Sequence, residues 1–271
     1  MNKILALWAT PRSTSTAFEW VMSNRGDMTC FHEPYNEAFY YGLDRRHDRY
    51  FLADKTLQPT AGLTIHSVHQ KLLDLASNGQ VFVKDFAYSI MHVADDAFLG
   101  AFNHTFLIRD PDKVITSMHS RWPDISLAEI GFDDLHTLFN RIADKEGKAP
   151  VVIDSDELLE FPEAGMQAYC DAVGIDHIPE ALSWADKAEE NSGKNPTWNT
   201  DEHGFHDSLK ASTGLQKQQR NYAPLATSAD MMRLYEASLP HYEALKAHTL
   251  SINHEDSSNH DHSALKPMSL R

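Results

Sequence analysis

No glycine stands between Met1 and Arg25, although the 271-residue chain has twelve in all. That absence excludes a glycine-rich GxxxxGK[ST] loop after the first apolar run, Ile4 to Trp8. Cysteine is scarce too, with Cys30 and Cys170 alone. Two are too few for a disulfide framework. Cys30 falls in an apparent strand and Cys170 in an apparent helix, which predicts buried thiols in a reducing compartment and a cytoplasmic protein. Long apolar runs are missing, and none approaches the ~20 residues of a membrane span. The first apolar run, about six residues long, lacks the basic-apolar-small order of a secretory signal. Cations are also few: Lys plus Arg is 24 against 39 for Asp plus Glu, a net charge of −15. Such a surface argues against nucleic acid or an anionic membrane as partner.

What is present fits a globular chain, with 42% hydrophobic and 10% aromatic residues. The length suits one large core, and the pattern predicts a single domain over 1–250 followed by a polar, disordered tail over 251–271. No internal repeat is visible. Apolar runs and helical spacing alternate in the α/β manner. Strands are expected at 4–8, 28–32, 80–84, 104–108 and 150–153. Helices are expected from Ala17, over 64–77, 88–99, 135–145, 161–173 and 229–247. The aromatic and charged stretch from Tyr35 to Gln58 has no clean period and suggests a lid.

Two places carry chemistry. The first is the turn Thr10-Pro11-Arg12-Ser13-Thr14-Ser15-Thr16 between strand and helix. Converging backbone N–H groups, the positive end of the helix, the hydroxyls and Arg12 make it an anion cradle. Arginine stands where a Walker loop has lysine. The second is Ile108-Arg-Asp-Pro-Asp-Lys-Val-Ile-Thr-Ser117. Arg109 lies at the carboxyl end of a strand, where open parallel sheets bind ligands. Ser117 follows two helical turns later on the face of Lys113. Arg109 and Ser117 can hold a second phosphate, or Arg109 can pair structurally with Asp110 or Asp112. Because the net charge repels anions, recognition must rest on local cations, of which Arg12, Lys84, Arg109 and Arg121 stand beside strand ends or helix starts. The sixteen histidines include the pairs His66/His69 and His203/His206, but no Cys/His cluster has metal-site spacing; no metal is expected.

The two motifs together resemble the sulfotransferases that use 3′-phosphoadenosine-5′-phosphosulfate (PAPS). A third match, Val152-Ile-Asp-Ser-Asp-Glu-Leu-Leu-Glu-Phe-Pro162, looks like that family's strand with its acidic segment, leucine and proline. The resemblance spans about 1–175. It implies a P-loop-like three-layer α/β fold around a mainly parallel sheet, PAPS as donor without a metal, and a small-molecule acceptor bearing a hydroxyl or amine. It places Pro11, Arg12, Ser13, Thr14, Ser15 and Thr16 around the 5′-phosphosulfate, and Arg109 and Ser117 on the 3′-phosphate. The family's aromatic adenine contact has Ala17 in its place, with Phe18 and Trp20 nearby. Its C-terminal phosphate segment has Lys210 to Gly214 or Lys217 to Arg220 as replacements.

Sulfuryl transfer needs cations on the leaving and sulfuryl oxygens and a base for the acceptor proton. Arg12 is assigned to the leaving oxygen. Glu33, closing the second strand, is the first choice for base, with Asp85 and His32 in reserve. Lys84 either stabilises the sulfuryl group or neutralises Asp85. Tyr40, Tyr41, Trp122, Trp184 and Trp198 are candidate acceptor walls. A nucleotide-dependent kinase and a non-catalytic nucleotide-binding regulator are the alternatives. The acceptor's identity and the oligomeric state lie beyond the sequence.

Overall fold

The computed structural model describes residues 3–46, 58–184, 209, 211–217 and 221–252. Five strands, β1 (Ile4–Ala9), β2 (Thr29–His32), β3 (Val81–Phe86), β4 (Phe102–Ile108) and β5 (Val151–Asp154), form one sheet in the order β2-β3-β1-β4-β5. Every neighbouring pair is parallel. All six residues of β1 are buried, as a central strand covered on both faces requires, and this is why it reads as an unbroken apolar run.

Alternation along β1 divides the core. Ile4, Ala6 and Trp8 face one apolar cluster, and Leu5, Leu7 and Ala9 face the other. The first cluster is closed by α3 (Ile65–Ala76), α5 (Pro111–His119), α7 (Phe132–Glu146) and α10 (Ala229–Lys246). The second is closed by α1 (Ser15–Asn24) and α9 (Pro162–Val173). The result is the expected three-layer α/β architecture. No helix among the described residues is long and apolar enough to cross a membrane.

β1 and β4 are neighbours, yet the helices that follow them, α1 and α5, pack on opposite faces. Their carboxyl ends therefore flank a topological switch point, where parallel sheets open a crevice. Asp110 caps the helix after β4: its side chain accepts from the Asp112 N–H at 2.9 Å, and Pro111 occupies the first helical turn.

Several expectations change. The aperiodic stretch after Glu33 begins with a helix, α2 (Pro34–Tyr41), while 47–57 lie outside the described residues. The helix expected over 88–99 is a 3₁₀ turn at Ala87–Ser89 and a late, short α4 (Asp96–Leu99). The Asp95 side chain accepts from the Phe98 N–H at 2.8 Å and so starts a helix there. A further helix, α8 (Ser155–Glu160), precedes α9 and is separated from it by Phe161, with Pro162 opening α9. A short α6 (Leu127–Ile130) comes before α7. The predicted tail lies, from 253 on, outside the described residues.

Candidate active site

Three non-glycine residues among those described have positive φ: Arg12 (61°), Thr14 (65°) and Glu33 (47°). All three stand on the carboxyl edge of the sheet, after β1 or β2. Such backbone costs on the order of 1–3 kcal/mol per residue, and it persists where surrounding contacts over-determine it. Those contacts are visible. Arg109 Nη1 donates to the Arg12 carbonyl at 2.9 Å, and Arg12 Nε donates to Ser117 Oγ at 3.0 Å. Ser117 Oγ donates in turn to the Tyr222 hydroxyl at 3.2 Å. Ser13 is buried and its Oγ donates to the Thr10 carbonyl at 2.6 Å. The Thr14 hydroxyl bonds the Ser13 carbonyl at 2.5 Å and Ser155 Oγ at the start of α8. Since α1 begins at Ser15, the N–H groups of Ser15 and Thr16 occupy the first turn, where a helix makes no internal bond with them. Arg12 and Thr14 thus take left-handed backbone with full side chains in a loop that holds no glycine.

Beside this loop is a cavity of about 360 Å³ lined by Arg109, Lys113, Asp156, Lys217 and Tyr222 among others. Asp156 Oδ1 lies 2.8 Å from Lys113 Nζ and 3.7 Å from Arg109 Nε. Burial, with the charge of Asp110 adding to it, pushes the carboxyl of Asp112, also on the wall, upward.

The other half of the site grows from β2 and β3. Alternation on β3 sends Lys84 and Asp85 to opposite faces. Lys84 is fully buried; its ammonium pairs with Glu33 Oε1 and lies 4.0 Å from Glu19 Oε2 on α1. Glu19, itself buried, bonds His32 Nδ1 at 2.5 Å, and His32 Nε2 is 3.6 Å from Glu33 Oε1. Burial works against the His32 imidazolium, but the charges of Glu19 and Glu33 outweigh it and raise the pKa above 6.5, against an opposing push from Lys84. Glu33 Oε2 accepts from Asn36 Nδ2 at 3.1 Å, so both carboxylate oxygens have a donor. Asn36 Oδ1 accepts from the hydroxyls of Tyr88 (3.1 Å) and Ser89 (3.2 Å), which fixes the amide's orientation.

Asp85 does something else. Its carboxylate accepts from the backbone N–H groups of Tyr35 (2.7 Å), Asn36 (3.2 Å) and Phe86 (2.8 Å), closing the first turn of α2. Burial and the charge of Glu33 nonetheless push its pKa up to about 7. Of the two roles open to Lys84, stabilising the sulfuryl group or neutralising Asp85, the ion pair it makes is with neither but with Glu33.

The structure brings Arg12, Ser13, Thr14, Arg109 and Ser117 into one bonded unit, with Pro11, Ser15 and Thr16 in the same turn. Glu33 and Lys84 form the second. Phe18 and Trp20 are not beside the cradle but in the core, edge-on to Tyr169 and Trp184 at 4.8 and 5.3 Å. Trp184 is core as well, its Nε1 donating to the Ser212 carbonyl at 2.8 Å, and Tyr40 is buried. Tyr41 and Trp122 are half-buried. Of the expected C-terminal phosphate segments, Lys217 lines the cavity, whereas Lys210 and Arg220 lie outside the described residues, as do the candidate acceptor wall Trp198 and the pair His203/His206. His69 bonds the Tyr35 hydroxyl at 2.9 Å and stacks on Phe98, a packing role. Sequence reasoning passed over Glu19, Asn36, Ser155, Asp156 and Tyr222. Glu19 had a signal: a carboxylate between Phe18 and Trp20 on a helix that is otherwise apolar there.

A parallel sheet of this order, with a strand–turn–helix at its central strand, defines a P-loop-like α/β protein. The chain belongs to the sulfotransferase domain family, whose model matches residues 2–249. Two Arabidopsis thaliana proteins, branched-chain-amino-acid aminotransferase-like proteins 2 and 1, are each 26% identical to it over 263 and 264 residues. The alignments cover 91% of this chain and 42% of theirs, so the chain spans less than half of their length. Among solved structures it is similar to the sulfotransferase domain from the curacin biosynthetic pathway, at 13% identity and a TM-score of 0.48 over 88% of this chain and 97% of that one. The sulfotransferase domain from the Synechococcus PCC 7002 olefin synthase is 14% identical, with a TM-score of 0.42 over 87% and 94%.

Proposed function

We propose that this sulfotransferase takes its sulfuryl group from PAPS and passes it to a hydroxyl or amine of a small molecule, without a metal. The observation that carries the reading is the hydrogen bond from Arg12 Nε to Ser117 Oγ, which joins the cradle after β1 to the Arg109–Ser117 pair after β4. A donor with a 5′-phosphosulfate and a 3′-phosphate needs two neighbouring anion sites; in this reading Arg12 serves the first and Arg109 with Ser117 the second. In the reaction the sulfur–oxygen bond to the phosphate breaks and a bond from sulfur to the acceptor forms. Arg12 stabilises charge on the leaving oxygen, Lys84 lies behind Glu33, and Glu33 takes the acceptor's proton. In this reading Asp85 shapes the site by holding α2. Ser13, Thr14, Ser15 and Thr16 surround the 5′-phosphate.

Thermal melts test the nucleotide. Adenosine 3′,5′-bisphosphate without metal should raise the melting temperature more than ATP with magnesium, since ligand bound to the native state stabilises it. A larger shift with magnesium–ATP would turn the reading toward the kinase. A shift with the bisphosphate but no sulfuryl transfer to any acceptor in a broad screen would favour the non-catalytic regulator.

A further inference from the structure

The acidic segment after β5 has a use that goes beyond its match to the family. α8 presents Asp156 and Glu160 one turn apart, on the same side of the helix. Each carboxylate holds a lysine of the cavity wall: Asp156 pairs with Lys113 of α5 at 2.8 Å, and Glu160 pairs with Lys217. Asp156 Oδ1 also stands 3.7 Å from Arg109 Nε. Three cations of the cavity are therefore tied to two carboxylates of a single short helix. These pairs are partly exposed, with side-chain exposures of 51% and 28% for Lys113 and Asp156 and 57% and 52% for Lys217 and Glu160. A pair that wet is weak and exchangeable.

We propose that α8 is a built-in counter-ion for the second anion site, and that a ribose 3′-phosphate binds there by displacing the carboxylate of Asp156 from Lys113 and Arg109. The inference rests on the donor reading given above. A monoanion gains little by replacing one carboxylate with another. A phosphate dianion brings more charge and more acceptor oxygens, and it wins the exchange. Asp156 thereby sharpens selection for 3′-phosphorylated nucleotides over other anions. It also limits how tightly the bisphosphate product is held, because the carboxylate returns as the phosphate leaves. Glu160 acts the same way on Lys217, more weakly because that pair is the more exposed.

Calorimetric titration of the full chain with adenosine 3′,5′-bisphosphate and with adenosine 5′-monophosphate tests this. Asp156→Asn keeps the size and removes the charge. It should tighten the bisphosphate by about 2- to 5-fold, the range of a partly exposed ion pair, and leave the monophosphate unchanged. Glu160→Gln should tighten the bisphosphate by a smaller factor. Product inhibition by the bisphosphate should strengthen by the same factors. If Asp156→Asn leaves bisphosphate affinity unchanged or weakens it, Asp156 orients Arg109 rather than competing with phosphate, and the inference is wrong. If the wild-type chain does not prefer the bisphosphate to the monophosphate, the donor reading itself fails and takes the inference with it. The Asp156 side chain accepts no helix-capping bond, since Asp154 caps α8, so folding should survive; Asp156→Ser repeats the test should Asn not.

Discussion

Arg12 joins a left-handed backbone to a charged side chain, and mutation separates the two. Lysine keeps a cation, alanine removes it, and glycine removes it while accepting a φ of 61° without strain. Arg12→Ala should cut turnover strongly with a smaller fall in bisphosphate affinity, because leaving-group charge peaks in the transition state. Arg12→Lys should restore part of the rate. Arg12→Gly should be as inactive as the alanine variant yet about 1 kcal/mol more stable to urea, since alanine is strained at positive φ. Normal turnover in Arg12→Ala would mean that the cradle holds something other than the reacting group. Glu33 is the complementary case. Its carboxylate has Lys84 on one oxygen and Asn36 on the other, and its basicity rather than its shape is what the proposed reaction uses. Glu33→Gln should lower kcat by about 10²- to 10⁴-fold, with bisphosphate affinity nearly unchanged. Retained activity there, with loss in His32→Ala, would move the base to His32, the imidazole held by Glu19 at 2.5 Å.

At the scale of elements, a buried side chain decides where α2 begins. Asp85 on β3 accepts from the N–H groups of Tyr35 and Asn36, which α2 cannot satisfy itself. Asp85→Ala orphans both and should cost about 1–3 kcal/mol in urea unfolding. Asp85→Asn keeps an acceptor oxygen and mimics the protonated acid that a pKa of about 7 favours, so it should cost less than half as much and spare most of kcat. Equal losses in both variants would show that charge, not capping, matters. β4 carries a second buried group. His104 accepts from Trp8 Nε1 at 2.9 Å, so its proton sits on Nε2, facing the Leu99 carbonyl at 3.0 Å. Burial lowers its pKa from 6.5 to about 4. The fold therefore favours neutral imidazole, a stabilisation complete above pH 6.5 and lost as pH falls toward 4. Between pH 7 and 4.5 the wild type should lose about 2–3 kcal/mol more than His104→Gln; parallel losses would mean that His104 is protonated in the fold. Elements show which parts of the fold the sequence made legible. β1 could be read because a central strand of a parallel sheet is buried on both faces and reads as an unbroken apolar run, whereas β2 at the edge is exposed to half-buried and β3 carries Lys84 and Asp85. α2 could not, since its start depends on Asp85, fifty residues away in sequence. The helix expected over 88–99 failed because Asp95 caps a later start. In the site, the local motifs at 10–16 and 109–117 were legible. Asp156, Tyr222 and Asn36 were not, because their roles depend on partners on other elements or on the fixed orientation of one amide.

The molecule as a whole sets its −15 charge against the anionic donor proposed for the site. The site answers with a few concentrated cations, Arg12, Arg109, Lys113 and Lys217, placed where α1 and α5 diverge from adjacent strands onto opposite faces of the sheet. Short-range attraction and long-range repulsion respond differently to salt. The Debye length shrinks from about 30 Å at 0.01 M to about 8 Å at 0.15 M, so distant acidic residues are screened while contacts inside the cavity are screened much less. An approaching bisphosphate meets the repulsion first and the cations only on arrival. Its association rate should therefore rise about two- to fivefold over that range of salt, against the usual behaviour of a ligand steered by opposite charge. Its dissociation rate should rise as well, because the final contacts are charged and partly open to solvent. Stopped-flow mixing with a fluorescent adenosine 3′,5′-bisphosphate separates the two rates. An association rate that falls with salt would mean that the field of the four cations extends beyond the cavity and outweighs the acidic surface. In that event Arg109→Ala and Lys113→Ala should each slow association, whereas a ligand that feels the cations only on arrival should see them chiefly in faster dissociation.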